Sequence, residues 1–394
     1  MLTSIAYLFL LGLLLGSIFQ KLKLPSLLGM MLTGMILGPY VLDLLDPTLL
    51  TISADLRQVA LVIILTRAGL SLDISDLKRV GRPAIFMCFV PATLEILGVL
   101  IFAPMLLGVT LLEAAIIGSV IAAVSPAVVV PRMIKLMEEG YGKQNSVPQL
   151  IMAGASVDDV YVIVLFTAFT GLAMGTDVSI QSFVQIPVSI VLGILLGVLV
   201  GYLLVGFFRR FHMRDSVKIL IVLSTSFLML ELEDRLEAYV AVSGLLAIMS
   251  MGIFIKQAYP NLAKRLSAKY NKLWVAAEII LFVLVGAIVN LEYLVQAGLI
   301  ALCVLLCAMV FRMFGVFISV LGTKLNKKER VFCMLAYTPK ATVQAAIGSI
   351  PLAMGLACGE QVLIIAVLAI IITAPFGAIC VDTLHDKLLE KSAS

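Results

Sequence analysis

Thirteen apolar stretches, most of them close to twenty residues long, divide this 394-residue chain and confine it to folds built for a lipid bilayer. Cut at polar and turn clusters, they lie near 3–20, 25–40, 54–72, 83–107, 111–136, 145–173, 182–208, 216–232, 237–256, 273–296, 297–322, 329–355 and 359–382. A helix needs about 20 apolar residues to cross a hydrocarbon core of about 30 Å. Lipid offers backbone groups no partners, so only helices and closed barrels span it, and runs of this length exclude barrel strands. Charged residues make up 13% of the chain, against about 25% in soluble proteins, which leaves little mass outside the membrane. The expected fold class is an all-α polytopic membrane protein.

Basic residues alternate from link to link. Lys21 and Lys23 follow the first stretch, and the next link has Asp43 and Asp46 but no base. Lys78, Arg79 and Arg82 follow the third, Arg132, Lys135 and Lys143 the fifth, and Arg209, Arg210, Arg214 and Lys218 the seventh. Continued to Lys387 and Lys391, the alternation puts 23 of the 28 basic residues on one side. The positive-inside rule then expects the N-terminus outside and the C-terminus in the cytoplasm, in a cell (inner) membrane. An odd number of crossings agrees. The first stretch has no basic n-region or small-residue cleavage site and reads as a span, not a cleavable signal. The sequence pI of about 8.7 reflects basic loops facing anionic lipid, with no nucleic-acid patch. The six cysteines lie in apolar stretches without a CxxC pair and read as packing residues. His212 and His385 are too far apart to suggest a metal site.

A few charges break the pattern. Arg57 and Arg235 fall at outer membrane edges, where solvent is expected, and Arg67 is near enough to a helix end to snorkel. Glu95, Asp158, Asp159, Arg312 and Lys340 lie at depth. A carboxylate at the bilayer centre costs roughly 3 kcal/mol on insertion scales, so buried charges pair or line a wet cavity. Two ion pairs neutralise four of these five groups and leave one carboxylate over. A purely structural network has no reason to leave a charge unmatched, whereas a site that a proton or monovalent cation visits does.

The chain also carries helix breakers at matching places. The halves are stretches 1–6 and 8–13, with the seventh between them, and their six-span length makes them inverted repeats. The fifth stretch of the first half contains "AAVSPAVVVPRM", with Pro126 and Pro131; the fifth of the second contains "YTPKATVQAA", with Pro339. Proline removes a backbone donor and clashes with the carbonyl four residues back, so breaks or kinks are expected at all three. Interrupted helices at equivalent positions of two halves point to a transporter's mid-membrane site. Carbonyls freed before Pro126, with Ser125, are candidate cation ligands. Adjacent helix positions differ by about 100°, so Asp158 and Asp159 point in different directions. That geometry argues against an aspartic-protease dyad, and with no Ser–His pair or metal cluster the chain is not expected to be an enzyme.

"GSVIAAVSPAVVVP", "GASVDDV" and "TPKATVQAAIGS", in that order, resemble the monovalent cation:proton antiporters, in particular the paired-aspartate branch with the NHA-type sodium/proton exchangers. "RAGLSLD" and "LEILG" fit the same branch. The resemblance implies one exchanger-type transmembrane domain over 1–385, in a homodimer, with two crossing broken helices among about thirteen transmembrane helices. A mobile core of 83–173 and 297–382 would move against a dimerisation scaffold of 1–72 and 216–296, with a linker helix at 182–208. Asp159 would take the cation or the proton, Asp158 would pair with Lys340, and Glu95 with Arg312. Ser156, one turn before Asp159, is a further ligand candidate.

The expected activity is antiport of sodium (or lithium) against protons, the two competing for Asp159, with Asp158 beside it in the monovalent-cation site. No cofactor is expected; the partners are the transported ions, membrane lipids and a second copy of the chain. A potassium/proton antiporter and a proton-uncoupled cation channel are the alternatives.

Overall fold

Every regular element among the described residues is helical, as apolar runs in lipid require. The computed structural model describes residues 1–71, 81–174, 180–236 and 242–391, apart from the side chains of 138, 156, 180–187, 234, 293 and 295–297. The helices are α1 (Leu2–Lys21), α2 (Ser26–Leu37), α3 (Pro47–Thr51), α4 (Ser53–Ser71), α5 (Arg82–Met87) and α6 (Val90–Leu107). Next come α7 (Leu111–Ile121), α8 (Pro126–Glu139), α9 (Val147–Met174), α10 (Ile180–Arg210), α11 (Asp215–Leu236) and α12 (Gly244–Ala258). The last are α13 (Pro260–Ala287), α14 (Leu291–Ser319), α15 (Lys327–Ala336), α16 (Thr342–Ile347), α17 (Ile350–Ala353) and α18 (Gly359–Leu388). Among the described residues, eight helical segments are long and apolar enough to cross a membrane, and Ser26–Leu37, Gly244–Ala258 and Thr342–Ala353 are shorter apolar helices. The chain is an integral membrane protein.

Two compact units make up the chain. One gathers the described residues of Met1–Ala54, Ile74–Val162 and Ile279–Ser394; the other gathers those of Asp55–Asp73 and Ile163–Glu278. In the first, α6 lies along α14 because Gly315 has no side chain there. A Cβ on Gly315 would sit 2.6 Å from the Cα of Pro91. Small residues at such crossings let backbones approach closely in lipid, where van der Waals packing rather than hydrophobicity joins helices. In the second unit α10 meets α12 in the same way, a Cβ on Gly197 falling 2.2 Å from the carbonyl oxygen of Ala247. Arg57, expected at a solvated edge, is buried there, with 6% of its surface exposed.

Two helices of the first unit are interrupted, and each opens with a reciprocal cap. Thr110 Oγ1 accepts from the Glu113 N–H at 3.3 Å, and Glu113 Oε2 accepts from the Thr110 N–H at 2.7 Å, starting α7. Asn326 and Glu329 exchange the same bonds at 2.9 and 2.8 Å to start α15. Each box satisfies two of the donors a helix start leaves open. The first interruption covers 122–125 and ends at Pro126, the first residue of α8, where the missing N–H costs nothing. The second covers 337–341 and contains Pro339. Of the break or kink expected at Pro131, the break does not occur: α8 continues through it to Glu139.

Candidate functional site

The two interruptions meet, and they meet through backbone. The Ser125 N–H donates to the Pro339 carbonyl at 2.7 Å. Around this point Glu95 from α6, Asp158 from α9, Arg312 from α14 and Lys340 from the second interruption converge, each with none of its surface exposed. Arg312 Nη1 lies 2.8 Å from Glu95 Oε2 and its Nη2 lies 3.0 Å from Asp158 Oδ2. Lys340 Nζ lies 2.7 Å from Glu95 Oε1. The four form one linear chain: Asp158, Arg312, Glu95, Lys340.

That chain corrects the expected pairing in part. Glu95 does meet Arg312, but the partner of Asp158 is Arg312, and Lys340 is bound to Glu95. The donor geometry explains the change. A guanidinium is a planar fork of five N–H donors and serves two carboxylates at once, whereas an ammonium has three donors around one point. Arg312 spends two further donors, one on the Tyr337 carbonyl, at 2.7 Å from Nε, and one on the Ala122 carbonyl. Its guanidinium carbon also stands 5.0 Å from the Tyr337 ring centroid. Lys340 Nζ donates to the Ile121 carbonyl at 2.5 Å.

The carbonyls freed before Pro126 are therefore occupied. Ile121 takes Lys340, Ala122 takes Arg312, and Ala123 takes the Gln344 amide at 2.9 Å. Cationic and amide donors at the end of α7 offset its exposed carbonyl dipoles. On the other side of the interruption the Val124 N–H donates to Asp158 Oδ2 at 2.7 Å, an anion at the start of α8. Ser125 is fully buried, with its Oγ 3.5 Å from Thr342 Oγ1. The side chain of Ser156 lies outside the described residues.

Asp159 stands apart. One position on from Asp158, it turns about 100° around the helix and is half-buried. Its Oδ1 is buried with no hydrogen-bond partner, and no ion pair among the described residues includes it. Two acids and two bases cancel in the chain of four, so Asp159 carries the one uncompensated charge of the group. A half-buried carboxylate without a partner is suited to exchanging one small cation for another.

A family model described as a transmembrane sodium/hydrogen exchanger matches residues 6–384. The chain belongs to the sodium/hydrogen exchanger family. Among its relatives in that family, sodium/hydrogen exchanger 9B2 of Homo sapiens is 33% identical over 387 residues, which cover 93% of this chain and 70% of the relative. Sodium/hydrogen exchanger 9B1 of Mus musculus is 34% identical over 396 residues, 94% of this chain and 67% of the relative. The structure of the sodium proton antiporter MjNhaP1 from Methanocaldococcus jannaschii at pH 8 has the same fold. It superposes with a TM-score of 0.84 at 23% identity, over 98% of this chain and 99% of that one.

Three polar residues of this exchanger-family site were not singled out from the sequence. Tyr337 donates from its Oη to the Met87 carbonyl at 3.0 Å. Thr373 of α18 accepts from the Lys340 backbone N–H at 2.9 Å. Gln344, 1% exposed, caps the end of α7. The signal was present for Gln344: an amide inside "KATVQAAIG" must find partners at membrane depth just as a charge must.

Proposed function

We propose that the chain is a secondary active antiporter exchanging sodium (or lithium) for protons by alternating access, with cation and proton taking turns at Asp159. The observation that carries this reading is the isolation of Asp159 beside a neutralised chain of four charges. A bare carboxylate in a low-dielectric interior is costly, and either a proton or a small hard cation removes that cost. The loaded site is neutral and can cross; the empty one bears charge and stays. Carboxylate, hydroxyl and carbonyl oxygens suit a hard monovalent ion, and Asp158 Oδ1, buried without a hydrogen-bond partner, is the next ligand candidate. Relatives named as sodium/hydrogen exchangers and a neighbour named as a sodium proton antiporter support this choice of ions.

The architecture proposed with it is thirteen crossings in two inverted repeats, extracellular N-terminus, cytoplasmic C-terminus and a homodimer in the cell membrane. Two interrupted helices that both begin with a capping box support the repeat. So do the left-handed glycines that follow their second halves, Gly140 at φ 88° and Gly355 at φ 71°. The core of 83–173 and 297–382 is proposed to move against the scaffold of 1–72 and 216–296.

Asp159→Asn tests the proposal in proteoliposomes. Sodium-driven proton flux should fall to background while the melting temperature holds or rises, because the lost charge has no partner to strand. Exchange persisting in that variant would overturn the assignment. Sodium, lithium and potassium compared across a pH series decide the ion, and cation flux without proton flux would make the chain a channel.

A further inference from the structure

We infer that Gln344 is a positioning residue that aims the Asp158 carboxylate through a single peptide unit; the inference rests on the cation-exchange reading above. Gln344 is the third residue of the six-residue α16. Its Nε2 donates to the Ala123 carbonyl at 2.9 Å and lies 3.3 and 3.4 Å from those of Val120 and Ile121. All three neighbours are acceptors, so the amide can present only its NH2 to them, and its orientation is fixed by chemistry.

The Ala123 carbonyl and the Val124 N–H are the two ends of one planar peptide group. That N–H donates to Asp158 Oδ2 at 2.7 Å. Gln344 and Asp158 thus hold one peptide between them: amide N–H to carbonyl, then peptide N–H to carboxylate. Hydrogen bonds in series polarise one another and strengthen. The peptide lies in the interruption at 122–125, outside both α7 and α8, so this pair of bonds fixes its rotation.

The consequence falls on the other oxygen of Asp158. With Oδ2 held by both Val124 and Arg312 Nη2, the carboxylate plane is set, and Oδ1 remains buried without a hydrogen-bond partner. A ligand oxygen must be held within a few tenths of an ångström to act on a small ion. Gln344 supplies that hold without approaching the ion. If it merely capped a helix end, its loss would lower stability and nothing more.

The experiment compares wild type with Gln344→Met, which keeps volume and loses the amide, and Gln344→Asn, which keeps the amide and loses its reach. In proteoliposomes each should raise the sodium KM about fivefold, the weight of one hydrogen bond, with Vmax changed less than the KM. A KM equal to wild type with a lowered melting temperature would reduce Gln344 to a cap and overturn the inference. Should one variant not fold, the other carries the same comparison. A melting cycle with Asp158→Asn separates this inference from the ion-site reading, because it needs no flux. Once Asp158→Asn is present, Gln344→Met should lower the melting temperature little further; fully additive losses would overturn the coupling. Exchange retained in Asp159→Asn, with that coupling intact, would leave Gln344 in place and move the ion elsewhere.

Discussion

The two interrupted helices answer the same defect with different partners. At 122–125 the backbone is served: Lys340, Arg312 and Gln344 reach in to its last carbonyls, and Asp158 accepts from its first free N–H. At 337–341 the backbone is served too, and the segment also contributes a cation. That segment supplies Lys340 itself, its Tyr337 carbonyl takes Arg312 Nε, and its Pro339 carbonyl takes the Ser125 N–H. Both interruptions accept donors at their carbonyls, but only the second sends a charged side chain, Lys340, into the other, so the pair forms a unit that neither helix could form alone. Two breaks with similar sequence punctuation are thus chemically unequal, and their inequality places a cation at one helix end and an anion at the next.

Arg312 is where the two interruptions depend on each other most, and its loss should break the comparison outright. Arg312→Gln leaves Asp158 without an ion pair, leaves Glu95 with Lys340 alone, and removes donors from the Ala122 and Tyr337 carbonyls. Removing one partner of a buried ion pair costs about 3–5 kcal/mol, because the other charge stays behind. The variant should melt far below wild type in detergent or fail to accumulate in the membrane. A melting temperature close to wild type would mean that the chain of four charges does not hold the two interruptions together.

Lys340 should matter less, since Arg312 still faces Glu95 when it is gone. Lys340→Met loses a charge-assisted bond and uncovers the Ile121 carbonyl, a cost of about 2 kcal/mol. The double variant Glu95→Gln/Lys340→Met should recover part of that loss, because the buried chain returns to one acid against one base. Additive losses in the cycle would deny the pairing. In vesicles, Lys340→Met should also shift the pH profile of exchange, since it removes a positive charge from a network that includes the neighbour of Asp159.

The sequence disclosed the membrane, the interruptions and the five deep charges because each violates a strong rule. Twenty apolar residues have few other uses, Pro126 and Pro339 forbid a continuous ladder, and Glu95 or Arg312 in lipid demands a partner. It disclosed partners poorly. The family resemblance implies an Asp158–Lys340 pair, and counting charges assigns no partners because it has no distances; only the fold shows that the guanidinium of Arg312 spans two carboxylates. The role of the freed carbonyls was read in the wrong sense for a related reason. A sequence shows that Ile121, Ala122 and Ala123 lose helical partners, but the donors that replace them come from residues some 190 to 220 positions away. Of the break or kink expected at Pro131, the break does not occur: this proline, six residues into a new helix, leaves α8 continuous to Glu139.

Ser125 sharpens the comparison at its weakest point, because its backbone and its side chain do different work there. The N–H ties the first interruption to the second through Pro339, and every residue but proline supplies that bond. The hydroxyl is fully buried but sits 3.5 Å from Thr342 Oγ1, the outer limit of a hydrogen bond. Ser125→Ala keeps the first contact and loses the second, so the junction should hold and the stability change should stay within about 0.5 kcal/mol. If the hydroxyl is a ligand, as its place beside Pro126 suggested, the sodium KM should rise severalfold with Vmax unchanged and melting unaltered. A KM equal to wild type would leave the carboxylates alone at the ion and assign Ser125 to the junction through its backbone. Either result separates the part of the first interruption that holds the fold from the part that meets the ion.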